Sequence, residues 1–206
     1  YGLDIDNRAA QLAYFSVMMT AVKHDGRFLR RSDNPQPCVY AIAESNGISG
    51  QVADGFTDGQ PHLKKAVSSI LAEMRDTKEY GSLLQITPVD FDALYHRFDA
   101  IMDGVSIYKE QILTELLPVV HCAEMLAQKY DVVVTNPPYM VASNMNEKLY
   151  DFIKKNYTDF KSDYFSAFFF RCSQMALPTG KLGFFSPYVW MFIQSYEKWR
   201  KLLFQQ

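Results

Sequence analysis

The sequence predicts an α/β fold with a mostly parallel sheet, and three segments carry that prediction. Asp131-Val-Val-Val-Thr135 is a short β-branched run, nearly continuous in apolar character, as expected of a strand buried on both faces of a parallel sheet. Cys38-Val-Tyr-Ala-Ile-Ala-Glu-Ser-Asn46 has a similar make-up and a polar end, and Pro35 and Pro37 introduce it. Lys181-Leu-Gly-Phe-Phe-Ser186 follows an apolar helical stretch through a Pro-Thr-Gly turn, the helix-then-strand alternation of an α/β unit.

Taken in order, the chain opens with Tyr1-Gly-Leu-Asp-Ile-Asp, and either Asp4 or Asp6 can cap a helix that begins Arg8-Ala-Ala-Gln-Leu-Ala. Asp6 suits the cap better. The separation of Asn46 and Tyr130 is far longer than an ordinary connection in an α/β unit. Residues 47–129 therefore read as a mainly helical insertion followed by the helix that leads into the next strand. Within it, Pro61–Tyr80, Pro88–Asp103 and Val105–Lys129 carry helical periodicity, with Gly81–Ile86 as an extended break. Lys161–Gly180 reads as an apolar helix opened by Ser162 and Asp163 and closed by Pro178 and Gly180. The Phe165–Phe170 stripe, taken alone, reads as core sooner than as a cofactor contact. Pro187-Tyr-Val-Trp190 forms an aromatic loop, and Tyr196–Leu203 an amphipathic helix.

At 206 residues, 48% hydrophobic and 21% charged, the chain can bury a substantial core, and one domain is the default. It has no run of about 18 apolar residues and no secretory leader pattern. Cys38, Cys122 and Cys172 are isolated, so neither a disulfide framework nor a metal site is indicated, and a reducing cytoplasm fits. The net charge of −2 argues against a DNA-binding surface spread over the whole chain, but its distribution is uneven. Residues 147–206 hold 9 Lys/Arg against 5 Asp/Glu, and residues 1–146 hold 12 against 18. Lys148, Lys154, Lys155 and Lys161 could meet phosphates of a duplex as a group. A solvated helix face explains each of them singly.

The most informative stretch is the end of the Tyr130–Thr135 run, where Asn136-Pro-Pro-Tyr139 follows directly. Two prolines stop the ladder, fix their own φ and restrict the residue before them, which sets Asn136 and Tyr139 in a defined relation. In open α/β sheets ligands bind at this carboxyl end of the strands. A stiff turn with Tyr139 as a core plug is the alternative.

Asn or Asp, Pro, Pro, then an aromatic residue is the signature of the amino-group DNA methyltransferases, and the resemblance to that family extends both ways along the chain from this turn. The order of capped helix, Pro-Thr-Gly turn, strand, aromatic loop and Arg-bearing helix after the motif resembles the adenine-modifying branch. The segment Tyr139–Leu149, with Lys155–Asp163, resembles the target-side loop of the large adenine methylases of bacterial phage-exclusion (BREX-type) and fused restriction-modification systems. The resemblance implies a Rossmann-like class I S-adenosylmethionine-dependent methyltransferase fold. It implies that Asp4 accepts from the cofactor's ribose hydroxyls, that Ile5 packs on its adenine, and that Glu44 accepts from the adenine amine. A solvent-facing Glu at a strand end would leave the same trace as Glu44. The catalytic set it implies is Asn136, Pro137, Pro138 and Tyr139, with Asn136 also facing the cofactor. The expected partners are duplex DNA and other defence-system or restriction subunits.

The departure from the family is a missing Gly-rich turn after a first strand. The expectation is a partial catalytic domain over 1–206 that lacks the N-terminal cofactor motif and the C-terminal target-recognition domain and is inactive by itself. The same turn also serves methyltransferases acting on RNA bases or on protein glutamine, and a degenerate, non-catalytic scaffold could retain it.

Overall fold

The computed structural model describes residues 1–204. The chain forms two compact units, Tyr1–Ala127 and Gln128–Gln206.

The first unit begins with β1 (Gly2–Asp4), α1 (Asn7–His24) and β2 (Val39–Ala41). The two strands are parallel, with Leu3 beside Tyr40 and Asp4 beside Ala41. Asp6 is the N-cap of α1, its carboxylate accepting from the Arg8 and Ala9 amides at 2.7 and 3.0 Å. β2 is shorter than the Cys38–Asn46 segment suggests, because β1 leaves the ladder at Asp4 to start the capped helix; Ile42 N–H to Asp4 O is the last bond.

Helices follow: α2 (Gly50–Thr57), α3 (Pro61–Glu73), α4 (Thr77–Tyr80), α5 (Phe91–Asp103) and α6 (Lys109–Gln111), then a π-helical turn (Ile112–Leu116) and α7 (Leu117–Ala127). Their apolar faces converge on Phe56, Ile70, Leu94 and Leu116, all fully buried, with the Phe56 and Phe98 rings 4.5 Å apart. Two expectations are corrected here. The helix predicted over 61–80 breaks where Asp76 takes a left-handed φ of 53°, held by a reciprocal pair of 2.9 Å bonds with Asn46. Gly81–Leu83, predicted as extended, is a 3-10 turn that starts from a positive φ at Gly81. The π turn lies just before Pro118, which brings no N–H to the helical ladder.

The second unit contains β3 (Tyr130–Thr135), α8 (Glu147–Asn156), α9 (Tyr164–Met175), β4 (Ala176–Phe184) and α10 (Glu197–Phe204). β3 and β4 are parallel, and Thr135 lies beside Phe184. The predicted helix over 161–180 ends at Met175, and Pro178 and Gly180 lie inside β4 instead of closing the helix. They sit where the register shifts between Tyr130 and Val132, a bulge that tolerates a residue without an N–H. The expected two-sided burial of β3 is also corrected. The face bearing Val133, Thr135 and Phe184 meets α9 through the Phe169 ring, 5.2 Å from that of Phe184. On the other face Val132 and Val134 pair with Lys181 and Gly183, and the two valines are 57% and 74% exposed.

No helix among the described residues is long and apolar enough to cross a membrane. A Cβ at Gly180 would lie 2.9 Å from Leu177 O and 3.0 Å from Tyr130 O, both backbone atoms. Gly180→Ala is therefore expected to lower stability by about 1–3 kcal/mol, and an unchanged urea midpoint would contradict that tight fit.

Candidate functional site

The Asn136–Tyr139 turn starts where the β3–β4 ladder ends. The Phe185 N–H donates to Thr135 O at 3.1 Å, so the backbone is held up to the residue before Asn136. Of the next four residues only Pro137 is buried; Asn136, Pro138 and Tyr139 face solvent. The buried proline anchors the turn, and its neighbours are left accessible.

Tyr139 is 52% exposed, which excludes the core-plug reading. Its ring meets Phe165 edge-on at 6.3 Å, and Phe165 is itself held by Tyr196 and Trp199 at 5.8 and 5.9 Å. The edge-to-face contacts of Phe165 with Tyr139 and Trp199 fix a ring's tilt as well as its place. The Tyr139 hydroxyl donates to Asn136 Oδ1 across 3.4 Å, a long contact that a better donor can displace. An amide oxygen and an aromatic face thus sit together at the carboxyl end of a parallel strand.

The chain leaving this turn is tied to the start of α9. Met140 O accepts from the Tyr164 N–H at 2.9 Å, and the Ala142 N–H donates to Ser162 O at 3.3 Å. Between these two bonds Val141 pairs with Asp163 as an antiparallel bridge. The Asp163 carboxyl caps α9 through the Phe165 amide at 3.2 Å. Burial pushes its pKa up, and the backbone N–H donors of Phe165, Met140 and Tyr164 oppose that shift.

Beyond β4, Phe185, Tyr188 and Phe192 are exposed. This loop is held from behind: Trp190 packs on Trp199 at 4.4 Å, and the Arg200 guanidinium donates to Trp190 O and Ile193 O at 2.6 and 2.8 Å. Lys148, Lys154, Lys155 and Lys161 are all exposed, the first three on α8, whose buried face carries Leu149 and Ile153.

In the first unit, the parallel pairing of β1 and β2 brings Asp4 and Glu44 to the same carboxyl edge. Asp4 is exposed, with Oδ1 accepting from the Asp6 N–H at 2.8 Å, and Ile5 beside it is 51% exposed. Glu44 lines a cavity of about 520 Å³ together with Lys78, Thr114, Glu115 and Pro118. Two carboxylates at one strand edge, one of them in a cavity with an apolar floor of Ala41 and Ile42, suit a ligand with hydroxyl and amine donors.

Sequence reading missed two things. Lys78, Thr114 and Glu115 come from the helical region and reach the cavity by folding alone. Asp163 was legible as a helix cap, but no local pattern signals the backbone bonds from Met140 and Ala142 to Tyr164 and Ser162 on either side of it.

The model of the Eco57I restriction-modification methylase family matches residues 1–206. The chain is 34% identical over 222 aligned residues to the adenine-specific methyltransferase BrxX of Escherichia coli O9:H4 (strain HS), covering 97% of this chain and 18% of that protein. It is 29% identical over 207 residues to the adenine-specific methyltransferase PglX of Lacticaseibacillus casei (strain Zhang), covering 98% of this chain and 17% of that protein. The chain thus spans less than a fifth of the length of these curated relatives.

The exposure of Tyr139 separates its local role from that of Phe165 behind it. Tyr139→Phe is expected to change stability by less than about 0.5 kcal/mol, and Phe165→Ala to cost about 3–5 kcal/mol. Urea unfolding of both variants checks the contrast.

Proposed function

The chain belongs to the Eco57I restriction-modification methylase family, and from that premise we propose that it carries the base-modifying turn of an adenine-specific DNA methyltransferase. The reaction is methyl transfer from S-adenosylmethionine to the N6 amine of an adenine flipped out of duplex DNA. The observation that carries the reading is the Asn136–Tyr139 turn, in which an exposed amide oxygen and an exposed ring flank a buried proline at a strand's carboxyl end.

The exocyclic amine of adenine is a poor nucleophile because its lone pair is delocalised into the ring. In the proposed complex the Asn136 side-chain oxygen and the Pro137 carbonyl each accept one N–H of that amine. The nitrogen is drawn toward tetrahedral geometry, its lone pair becomes available, and the two oxygens stabilise the positive charge that grows on it. Pro138 stiffens the turn so that this arrangement exists before the base arrives. Tyr139 stacks on the flipped base, a contact worth about 1–3 kcal/mol. The proton leaves after transfer, so no strong base is needed.

S-adenosylmethionine supplies an electrophilic methyl group when bound. The residues at the β1–β2 edge fit its adenosine part: Asp4 would accept from the ribose hydroxyls, Ile5 would pack on the adenine, and Glu44 would accept from the adenine amine. We read the fold as a Rossmann-like class I arrangement with residues 47–129 as a mainly helical insertion. Lys148, Lys154, Lys155 and Lys161 would meet DNA phosphates. A cytoplasmic place in a restriction or phage-defence system, alongside other subunits of that system, follows from the same reading.

Labelled methyl transfer from S-adenosylmethionine to genomic DNA by the intact protein, followed by nucleoside analysis, tests the proposal. Label is expected in N6-methyladenine, with Asn136→Ala lowering the rate by about 10²–10³-fold. Label in RNA or in protein glutamine, with none in DNA, would contradict it. Neutralising the four lysines to Gln is expected to flatten the dependence of log affinity on log salt by about 0.9 for each phosphate that is no longer neutralised. An unchanged slope would return them to the role of a solvated helix face.

A further inference from the structure

The cavity that Glu44 lines draws its other charged groups from the helical region. Lys78 of α4 and Glu115 of the π-helical turn line it, together with Ala41 and Ile42. Neither Glu44 nor Lys78 joins an ion pair or a side-chain hydrogen bond among the described residues, so an acceptor and a donor share one cavity without neutralising each other. The backbone fixes where each side chain starts. Ser45, directly after Glu44, donates from its amide to Met74 O at 3.1 Å and from its hydroxyl to Leu71 O at 2.6 Å. Asn46 and Asp76 exchange two 2.9 Å bonds, and Asp76 takes the left-handed φ of 53° that turns the chain into α4. A non-glycine residue keeps such a conformation only where surrounding contacts hold it. These bonds clamp the segment that carries Glu44 to the turn that delivers Lys78.

Resting on the cofactor reading above, we infer that Lys78 reads the adenine of the cofactor: its ammonium donates to a ring nitrogen beside the amine from which Glu44 accepts. Adenine carries an amine donor flanked by two acceptors, N1 and N7, and an ammonium beside a carboxylate is the complement of that pattern. Hypoxanthine, with an oxygen in place of the amine, would meet Glu44 acceptor to acceptor. The charge of the cavity also selects its ligand. Two carboxylates against one ammonium leave it negative, which admits a nucleoside carrying a sulfonium and repels a nucleoside phosphate. Its volume of about 520 Å³ lies within the range of small-molecule sites.

Calorimetric titration of the intact protein and of its Lys78→Met variant with S-adenosylhomocysteine, and with the 1-deaza and 7-deaza counterparts of that compound, tests this. Each counterpart lacks one flanking nitrogen and keeps the amine. The wild type is expected to bind one of the two counterparts about 10–100-fold more weakly than the parent compound. Lys78→Met is expected to lose the same factor on the parent compound and nothing further on that counterpart. Its unfolding temperature should stay that of the wild type, because Lys78 is exposed. Equal weakening of all three ligands in Lys78→Met, or none, would overturn the role, as would a wild type that binds all three equally or none of them. Methyl transfer to DNA separates this outcome from that of the functional reading. Transfer by a protein whose Lys78→Met variant binds like the wild type sinks the role of Lys78 and leaves the reading standing; selective loss of binding in a protein that transfers no methyl to DNA does the reverse.

Discussion

The arrangement of the candidate site depends on one backbone constraint: the four residues after β3 cannot relax, because the chain is fixed on both sides of them. The ladder ends at the Phe185–Thr135 bond, Pro137 is buried, and the chain beyond Tyr139 is bonded to the first residues of α9. Without that constraint Asn136 and Tyr139 would be two exposed polar side chains on a surface loop. With it they are preorganised, which is where a reaction that needs alignment more than chemistry draws its rate. Exposure of both residues is what the proposed function requires, since a fully packed turn would leave no room for a base.

The aromatic residues behind the turn follow from the same need. Trp199 is buried among Phe165, Phe169, Trp190 and Tyr196, with ring separations between 4.4 and 5.9 Å. Large rings with few rotatable bonds fill this space and lose little entropy when held, so they transmit the position of α9 and α10 to the surface. Arg200 adds a polar tie from α10 to the loop after β4. The second unit thus has a rigid interior directly behind an exposed, partly aromatic surface.

Much of this was legible in the sequence. β-branched and apolar runs placed the strands, Asp6 and Asp163 announced their helices, and the Pro-Pro pair marked the turn, because each is a local preference with a local cause. What failed was non-local. Pro178 and Gly180 look like a helix stop, yet they form a bulge in β4 because Tyr130 pairs with Ala176 one step before the register shifts. Val132 and Val134 look buried in the sequence, yet among the described residues only the opposite face of β3 meets a helix of its unit. The Tyr164–Met140 backbone bond and the cavity wall of Lys78, Thr114 and Glu115 are set by tertiary approach between segments distant in the chain.

The most direct test of the account is a crystal structure of the intact protein with an unreactive S-adenosylmethionine analogue and a duplex containing its target adenine. The account predicts a flipped adenine stacked on Tyr139, with N6 about 2.7–3.2 Å from both Asn136 Oδ1 and Pro137 O. An adenine that stays stacked in the duplex, or a flipped base seated away from this turn, would contradict it.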